Sequence, residues 1–259
     1  MSIPRKDLLA INQNGWNVVA PQFYGGTALP KYGPLSATEQ ELQLIENLSG
    51  KSVLELGCGS GHTLHYLWQH KQATDLWGLD LSQEQLRLTR EFLDKEGVPA
   101  RLFLASMDEN PGLPETCFDL VLSIYALGWA PDLPATLALV ASYLKPGGTF
   151  IFSWEHPFYQ CLEYDKASGR YYLVKSYLNE NPELDPSWKG VEIVLQPRKL
   201  STYLNALAGA GLILERIIES EVNLELARPQ DHAPEKWYSV PRARWVPTTF
   251  IVKARKPGR

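Results

Sequence analysis

The stretch Val53-Leu54-Glu55-Leu56-Gly57-Cys58-Gly59-Ser60-Gly61 constrains this chain more than any other. A short, mostly apolar run reads as a buried strand, and glycines at every second position then open it into a helix from about His62. Bare backbone in such a turn can approach a ligand where a Cβ would collide. The amides at the start of the helix add a partial positive charge facing the same cleft. The turn therefore predicts a socket for a nucleoside-bearing cofactor. Its spacing is E-x-G-x-G-x-G, whereas a dinucleotide fingerprint runs G-x-G-x-x-G and brings its second glycine to a pyrophosphate. The difference favours a ligand without a diphosphate. Taken alone, the same glycines also suit a tight strand-to-helix connection with no ligand.

Further segments follow at telling intervals. Asp80, in Trp77-Gly78-Leu79-Asp80-Leu81-Ser82, lies 19 residues past Gly61, where a second strand should end and a carboxylate can bond both hydroxyls of a ribose. Ala105-Ser106-Met107-Asp108 closes the apolar run Leu102-Phe103-Leu104. Leu113-Pro114-Glu115-Thr116-Cys117-Phe118-Asp119 leads into Leu120-Val121-Leu122-Ser123, and Leu144-Lys145-Pro146-Gly147-Gly148 leads into Thr149-Phe150.

With these motifs in this order, residues 36 to 155 resemble the class I S-adenosylmethionine-dependent methyltransferases, of the small-molecule type similar to the ubiquinone and menaquinone biosynthetic enzymes. The resemblance implies that Glu55, Gly57, Cys58 and Gly59 form the cofactor turn and that Asp80 and Leu81 meet the ribose. It implies that Ser106, Met107 and Asp108 surround the adenine, with Met107 an apolar wall and Asp108 a partner for the exocyclic amine, and that Ser123 closes the fourth strand beside the cofactor. It also implies a reaction: transfer of a methyl group from S-adenosyl-L-methionine, leaving S-adenosyl-L-homocysteine, to an oxygen, nitrogen, carbon or sulfur nucleophile by in-line displacement. The sulfonium carries its methyl already activated, so the protein has to hold the acceptor in line, exclude water and, for some acceptors, remove a proton. That chemistry demands no metal. Against these roles, Asp80 also suits an N-cap ahead of Gln83 and Asp108 a loop aspartate, while Asp119 and Lys145 to Gly148 read as structural in either case.

The chain as a whole is expected to form one methyltransferase domain in four parts: an N-terminal lid over 1–35, a cofactor-binding core over 36–154, an acceptor-pocket insertion over 155–197 and a C-terminal part of the sheet over 198–259. Strands are expected near 52–56, 76–79, 101–104, 118–123 and 149–154, with helices over 62–70, 83–96 and 133–144. Ser36 reads as an N-cap with Glu39 in capping-box position, for a helix running to about Asn47. A helix near 199–208 and strands near 212–218 and 248–254 complete the pattern. The fold class is α/β: a Rossmann-like, seven-stranded, mostly parallel sheet with helices on both faces and an antiparallel last strand. The lid and the insertion after the fifth strand are added to it. A ligand cleft then lies beyond the carboxyl ends of the strands.

His156 is the expected general base, because it follows the fifth strand and an imidazole titrates near neutrality; Glu155 orients it or acts in its place. The alternative is a solvated turn at His156-Pro157. Trp16 and Tyr24 in the lid are candidates for cofactor contact, and Trp237, Tyr238 and Trp245 in the tail for walling the acceptor; all five could equally be packing. Eight Trp and twelve Tyr favour an apolar or aromatic small molecule as acceptor. The net charge of −4, with no basic stripe, lacks the footprint of a nucleic-acid binder. No apolar run reaches the roughly 18 residues that span a bilayer, and residues 1 to 7 lack the apolar core of a secretory signal, so a cytoplasmic location is expected. Three cysteines without C-x-x-C spacing suggest neither a disulfide framework nor a structural zinc site. Two other functions fit parts of the pattern: an NAD(P)-dependent oxidoreductase and a non-catalytic S-adenosylmethionine-binding module. Oligomeric state is not encoded in any motif.

Overall fold

The structure, a computed structural model, describes residues 3–258. Its centre is a seven-stranded sheet in which β1 (Ser52–Leu56), β2 (Asp75–Asp80), β3 (Ala100–Leu104), β4 (Phe118–Ile124) and β5 (Leu144–Glu155) run parallel. β10 (Ile213–Glu219) and β11 (Thr249–Arg255) complete it in the order β10-β11-β5-β4-β1-β2-β3. β11 is antiparallel to both of its neighbours, as expected for the last strand. Because the order turns outward in both directions from β1 and β4, a crevice opens at the carboxyl ends of those two strands.

The helices follow from apolar periodicity and recognisable caps. In α4 (Gln83–Glu96) the Ser82 side chain accepts the Gln85 amide, and Gly97 ends the helix in the left-handed region. Asp132 caps α5 (Leu133–Tyr143) in the same way through the Ala135 amide. With α3 (His62–Lys71), α4 covers one face of the sheet over Leu64, Leu67, Leu86 and Leu93. α5 and α6 (Leu200–Gly209) cover the other over Leu137, Val140, Tyr203 and Leu207. Two apolar layers thus sandwich the central strands β1, β4 and β5, while the edge strands β3 and β10 stay partly or largely exposed.

The chain departs from expectation in three places. The head is mostly helical: α1 (Arg5–Val19) is a 15-residue helix. The helix expected from Ser36 to Asn47 is one turn, α2 (Glu39–Leu42), capped by Thr38 with Glu41 and closed by Gln43 at φ +47°. Glu39 is the reason. Its buried carboxylate accepts the Leu44 and Ile45 amides, the Tyr32 hydroxyl and the Lys71 ammonium, so the chain wraps around it and cannot continue as helix. The segment after β5 forms two hairpins, β6 (Leu162–Asp165) with β7 (Arg170–Leu173) and β8 (Glu183–Trp188) with β9 (Val191–Leu195). In the tail, α7 (Val240–Ala243) precedes β11. Among the described residues no helix is long and apolar enough to cross a membrane.

Candidate active site

The glycine turn leaves β1 with Gly57 at φ +69° and Gly59 at φ +54°, a region L side chains rarely adopt. A Cβ at Gly57 would stand 2.5 Å from that of Ala126, so the absence of a side chain lets the segment after β4 close against the turn. A Cβ at Gly59 would meet nothing within 4 Å; it would point into open cleft. Beside it, Asp80 ends β2 with both oxygens engaged by backbone: Oδ2 accepts the Gly59 amide at 2.9 Å and Oδ1 the Ser82 amide at 2.8 Å. Burial pushes this carboxyl up to about 6, while the amides of Ser82 and Gly59 pull it back down.

These groups border one cleft, whose empty volume with its open mouth included is about 870 Å³. Trp16, Glu55, Gly57, Cys58, Gly59, Asp80, Leu81, Ser106 and Met107 all line it. Two buried polar atoms in the lining have no partner: Oε2 of Glu55 and Oε1 of Gln85. Burial pushes the Glu55 carboxyl up to about 8. An unpartnered buried polar atom is costly unless a ligand completes it. Open space in front of Gly59, a carboxylate with lone pairs left over and two orphaned polar atoms together fit a ligand with a diol and further polar groups.

Above the cleft, α1 is tied down over the ends of β2 and β3. Gln13 Nε2 donates to the Leu81 carbonyl at 2.9 Å, Ser82 Oγ to Asn17 Oδ1 at 2.8 Å, and Arg5 Nε to Asp108 Oδ2 at 2.9 Å. An aromatic wall closes one side: Trp16 meets Phe23, Trp129 and Trp188 edge-on with centroids 5.1, 5.3 and 5.5 Å away. Trp16, Phe23 and Trp129 line the cleft itself, and Trp188, from the second hairpin, backs them.

Five residues expected at the site stand elsewhere. Tyr24 turns outward, nearly half exposed, edge-on to His62. Asp108 is held by Arg5 and accepts the Ser106 hydroxyl, so it anchors α1 and does not line the cleft. Ser123 is fully buried and its Oγ donates to the Leu56 carbonyl at 3.1 Å, tying β4 to β1. His156 sits beyond the cleft lining, its Nε2 2.7 Å from Glu219 Oε1 on the edge strand β10. Glu155 is buried behind the cleft, where Trp237 Nε1 at 2.7 Å and the Tyr238 hydroxyl donate to one of its oxygens. Glu155 is the last residue of β5 and His156 follows it, and neither lines the cleft. The tail's Trp237 and Tyr238 serve Glu155, and Trp245 is 77% exposed.

The insertion over 155–197 likewise sends no residue into the lining; it supports the wall through Trp188 and grips α1 where Asn12 exchanges two hydrogen bonds with the Val194 backbone. Asn12, Phe23, His62, Thr63, Gln85, Tyr125 and Trp129 line the cleft without having been singled out from the sequence. The signal for Tyr125 was present: it directly follows β4, whose carboxyl end must face the crevice.

Residues 53–148 match a family described as a methyltransferase domain. The chain is 30% identical to an S-adenosylmethionine-dependent methyltransferase from Mesorhizobium loti, over 83% of this chain and 95% of that one, with a TM-score of 0.64. It belongs to the class I S-adenosylmethionine-dependent methyltransferases. Two similar relatives match over shorter stretches. A fatty-acid O-methyltransferase of Mycolicibacterium smegmatis is 28% identical over 56% of each chain. A malonyl-[acyl-carrier protein] O-methyltransferase of Pectobacterium atrosepticum is 34% identical over 44% of this chain and 43% of its own. The cofactor of this methyltransferase is S-adenosylmethionine, and the nicotinamide-dependent alternative falls with that membership.

Proposed function

We propose that this methyltransferase transfers the methyl group to an apolar or aromatic small molecule. The observation that carries the reading is the composition of this cleft: Asp80 and the glycine turn border it together with an indole and phenyl wall of Trp16, Phe23 and Trp129. Such a wall offers a large apolar contact area at little entropic cost and has no charge to meet a phosphate or a polyanion. The relatives named as O-methyltransferases support an acceptor that attacks the methyl group through oxygen.

In this reading S-adenosylmethionine supplies a methyl group on a sulfonium, already activated for displacement. Asp80 accepts the ribose hydroxyls with the lone pairs that Gly59 and Ser82 leave free. Met107 provides an apolar wall for the base, and Glu55 Oε2 and Gln85 Oε1 take polar groups of the same ligand. α1, pinned through Gln13, Asn17 and Arg5, keeps bulk water from the reacting atoms as a lid. The segment to residue 35 and the hairpins of 155–197 then act as cover and support for one methyltransferase domain.

The test is S-adenosylhomocysteine formation with matched phenols, fatty acids, amines and thiols, alongside a tRNA and a protein mixture. Turnover of apolar small molecules, with KM raised in Trp129→Ala and cofactor affinity unchanged, supports the reading. Turnover of the macromolecules alone would overturn it.

A further inference from the structure

Tyr125 is held in an unusual state at the wall of the cleft. It has φ +55°, a conformation that costs a bulky residue free energy and that clusters at functional sites. Its amide is fixed by both the carbonyl and the hydroxyl of Ser153, each at 3.1 Å. From there its own hydroxyl donates to the Tyr238 hydroxyl at 2.8 Å, and Tyr238 donates in turn to Glu155 Oε2. Glu155 is buried and the two tyrosines are half-buried, and of the three residues only Tyr125 lines the cleft. A directed chain of hydroxyls therefore runs from a residue of the cleft wall to a buried carboxylate.

We propose that Tyr125 accepts the proton of a phenolic acceptor and that Tyr238 and Glu155 are positioning residues that draw this proton away from the cleft. The proposal rests on the small-molecule reading above and narrows it to a hydroxyl acceptor, because a carboxylate would have no proton to give. As the acceptor oxygen bonds to the methyl carbon and the bond from that carbon to sulfur breaks, the acceptor O–H proton passes to the Tyr125 oxygen. The Tyr125 proton passes to Tyr238, and the Tyr238 proton to Glu155. The sulfonium and the carboxylate both end neutral, the acceptor ends as a methyl ether, and both tyrosines end as they began.

The electrostatics suit a conduit ending in a carboxylate. Burial, and then the Glu155 charge, push the Tyr125 phenol well above its ordinary range, so it holds no stable anion near neutrality and must hand its proton on. Burial likewise raises Glu155, bringing it nearer to a useful base, while the bonds from Tyr238, Trp237 and Gln160 and the Arg242 charge restrain the rise. The other titratable groups around it are Tyr159, Tyr203 of α6 and the neighbouring His156, which is engaged by Glu219. Thr249 of β11 lies beside the Tyr125 hydroxyl.

The probe is p-nitrophenol, whose ionised and neutral forms differ in colour, bound to the full chain saturated with S-adenosylhomocysteine. Wild type should bind it and show the ionised colour at a pH where the free phenol is neutral. Tyr125→Phe and Glu155→Gln, which preserve shape, should bind it in the neutral form, and Tyr238→Phe should behave like Glu155→Gln. With a phenol that is turned over, Tyr125→Phe should lose about 10²- to 10⁴-fold in kcat at unchanged cofactor affinity, and Glu155→Gln should lose the acid limb of the kcat profile. Binding with the same colour in wild type and variants would overturn the relay and leave the small-molecule reading standing. Failure of wild type to bind the phenol, while an apolar acid or thiol is methylated, would overturn the relay alone; absence of any small-molecule binding would overturn both.

Discussion

Asp80 Oδ2 accepts the Gly59 amide at 2.9 Å, so the carboxylate that ends β2 and the bare turn that ends β1 form one rigid unit. The turn is held open by a charge that arrives 21 residues later, and the same charge keeps lone pairs facing the cleft.

Asp80→Ala should therefore weaken S-adenosylmethionine binding by about 1 to 3 kcal/mol, the value of hydrogen bonds to a charged group. Titration calorimetry on the variant and wild type checks this, and equal affinities would remove Asp80 from the ribose site.

Cofactor affinity should depend on pH through the same group. Its carboxyl is pushed up to about 6 by burial, so the cofactor-free protein takes up a proton there as pH falls. The ionised form is the one that accepts hydroxyls with both oxygens. Affinity should accordingly be full above that pH and decline by up to about tenfold per unit below it. Asp80→Asn should flatten the dependence in this range, and an identical slope in that variant would assign the titration to another group.

Gly57 and Gly59 should respond differently to alanine although both have positive φ. At Gly57 the new Cβ would overlap Ala126 at 2.5 Å, adding a clash to roughly 1 to 3 kcal/mol of backbone strain, and the melting temperature should fall sharply. At Gly59 only the strain applies, since nothing lies within 4 Å. Gly59→Ala should stay folded with weakened cofactor binding, and a lower melting temperature for Gly59→Ala than for Gly57→Ala would contradict the assignment.

His156→Ala should keep turnover far from the roughly 10²- to 10⁴-fold loss that follows removal of a general base. Its ring faces Glu219 on β10, so the expected effect is a modest loss of stability. Steady-state kinetics beside a thermal melt separate the two, and a hundredfold fall in kcat with an unchanged melting temperature would restore the histidine to the reaction.

Legibility followed locality. Asp80, Gly57, Gly59 and Met107 could be placed because each follows a strand whose apolar run is plain, and a parallel sheet brings such strand ends to one side. Asp119 could be read as structural, and it accepts the Ser52 amide and the Lys145 ammonium. The one-turn α2 was hidden because its Ser/Thr and Glu residues support two registers, and the choice fell to the long-range pairing of Glu39 with Lys71. Asp108 misled for a similar reason: Arg5, which occupies it, lies 103 residues earlier in the chain.

Sequence alone determined the strand-turn-helix socket, the acidic end of β2 and the alternation that makes a parallel sheet, since periodicity and glycine spacing act within a few residues of themselves. Tertiary structure alone decided that α1 covers the cleft, that Trp188 backs Trp16 across 172 positions of chain, and that Glu155 turns from the cleft to Tyr238. A buried charge or an aromatic face takes whichever partner the folded chain brings within reach, and that choice is made by packing among segments with no periodic relation to one another.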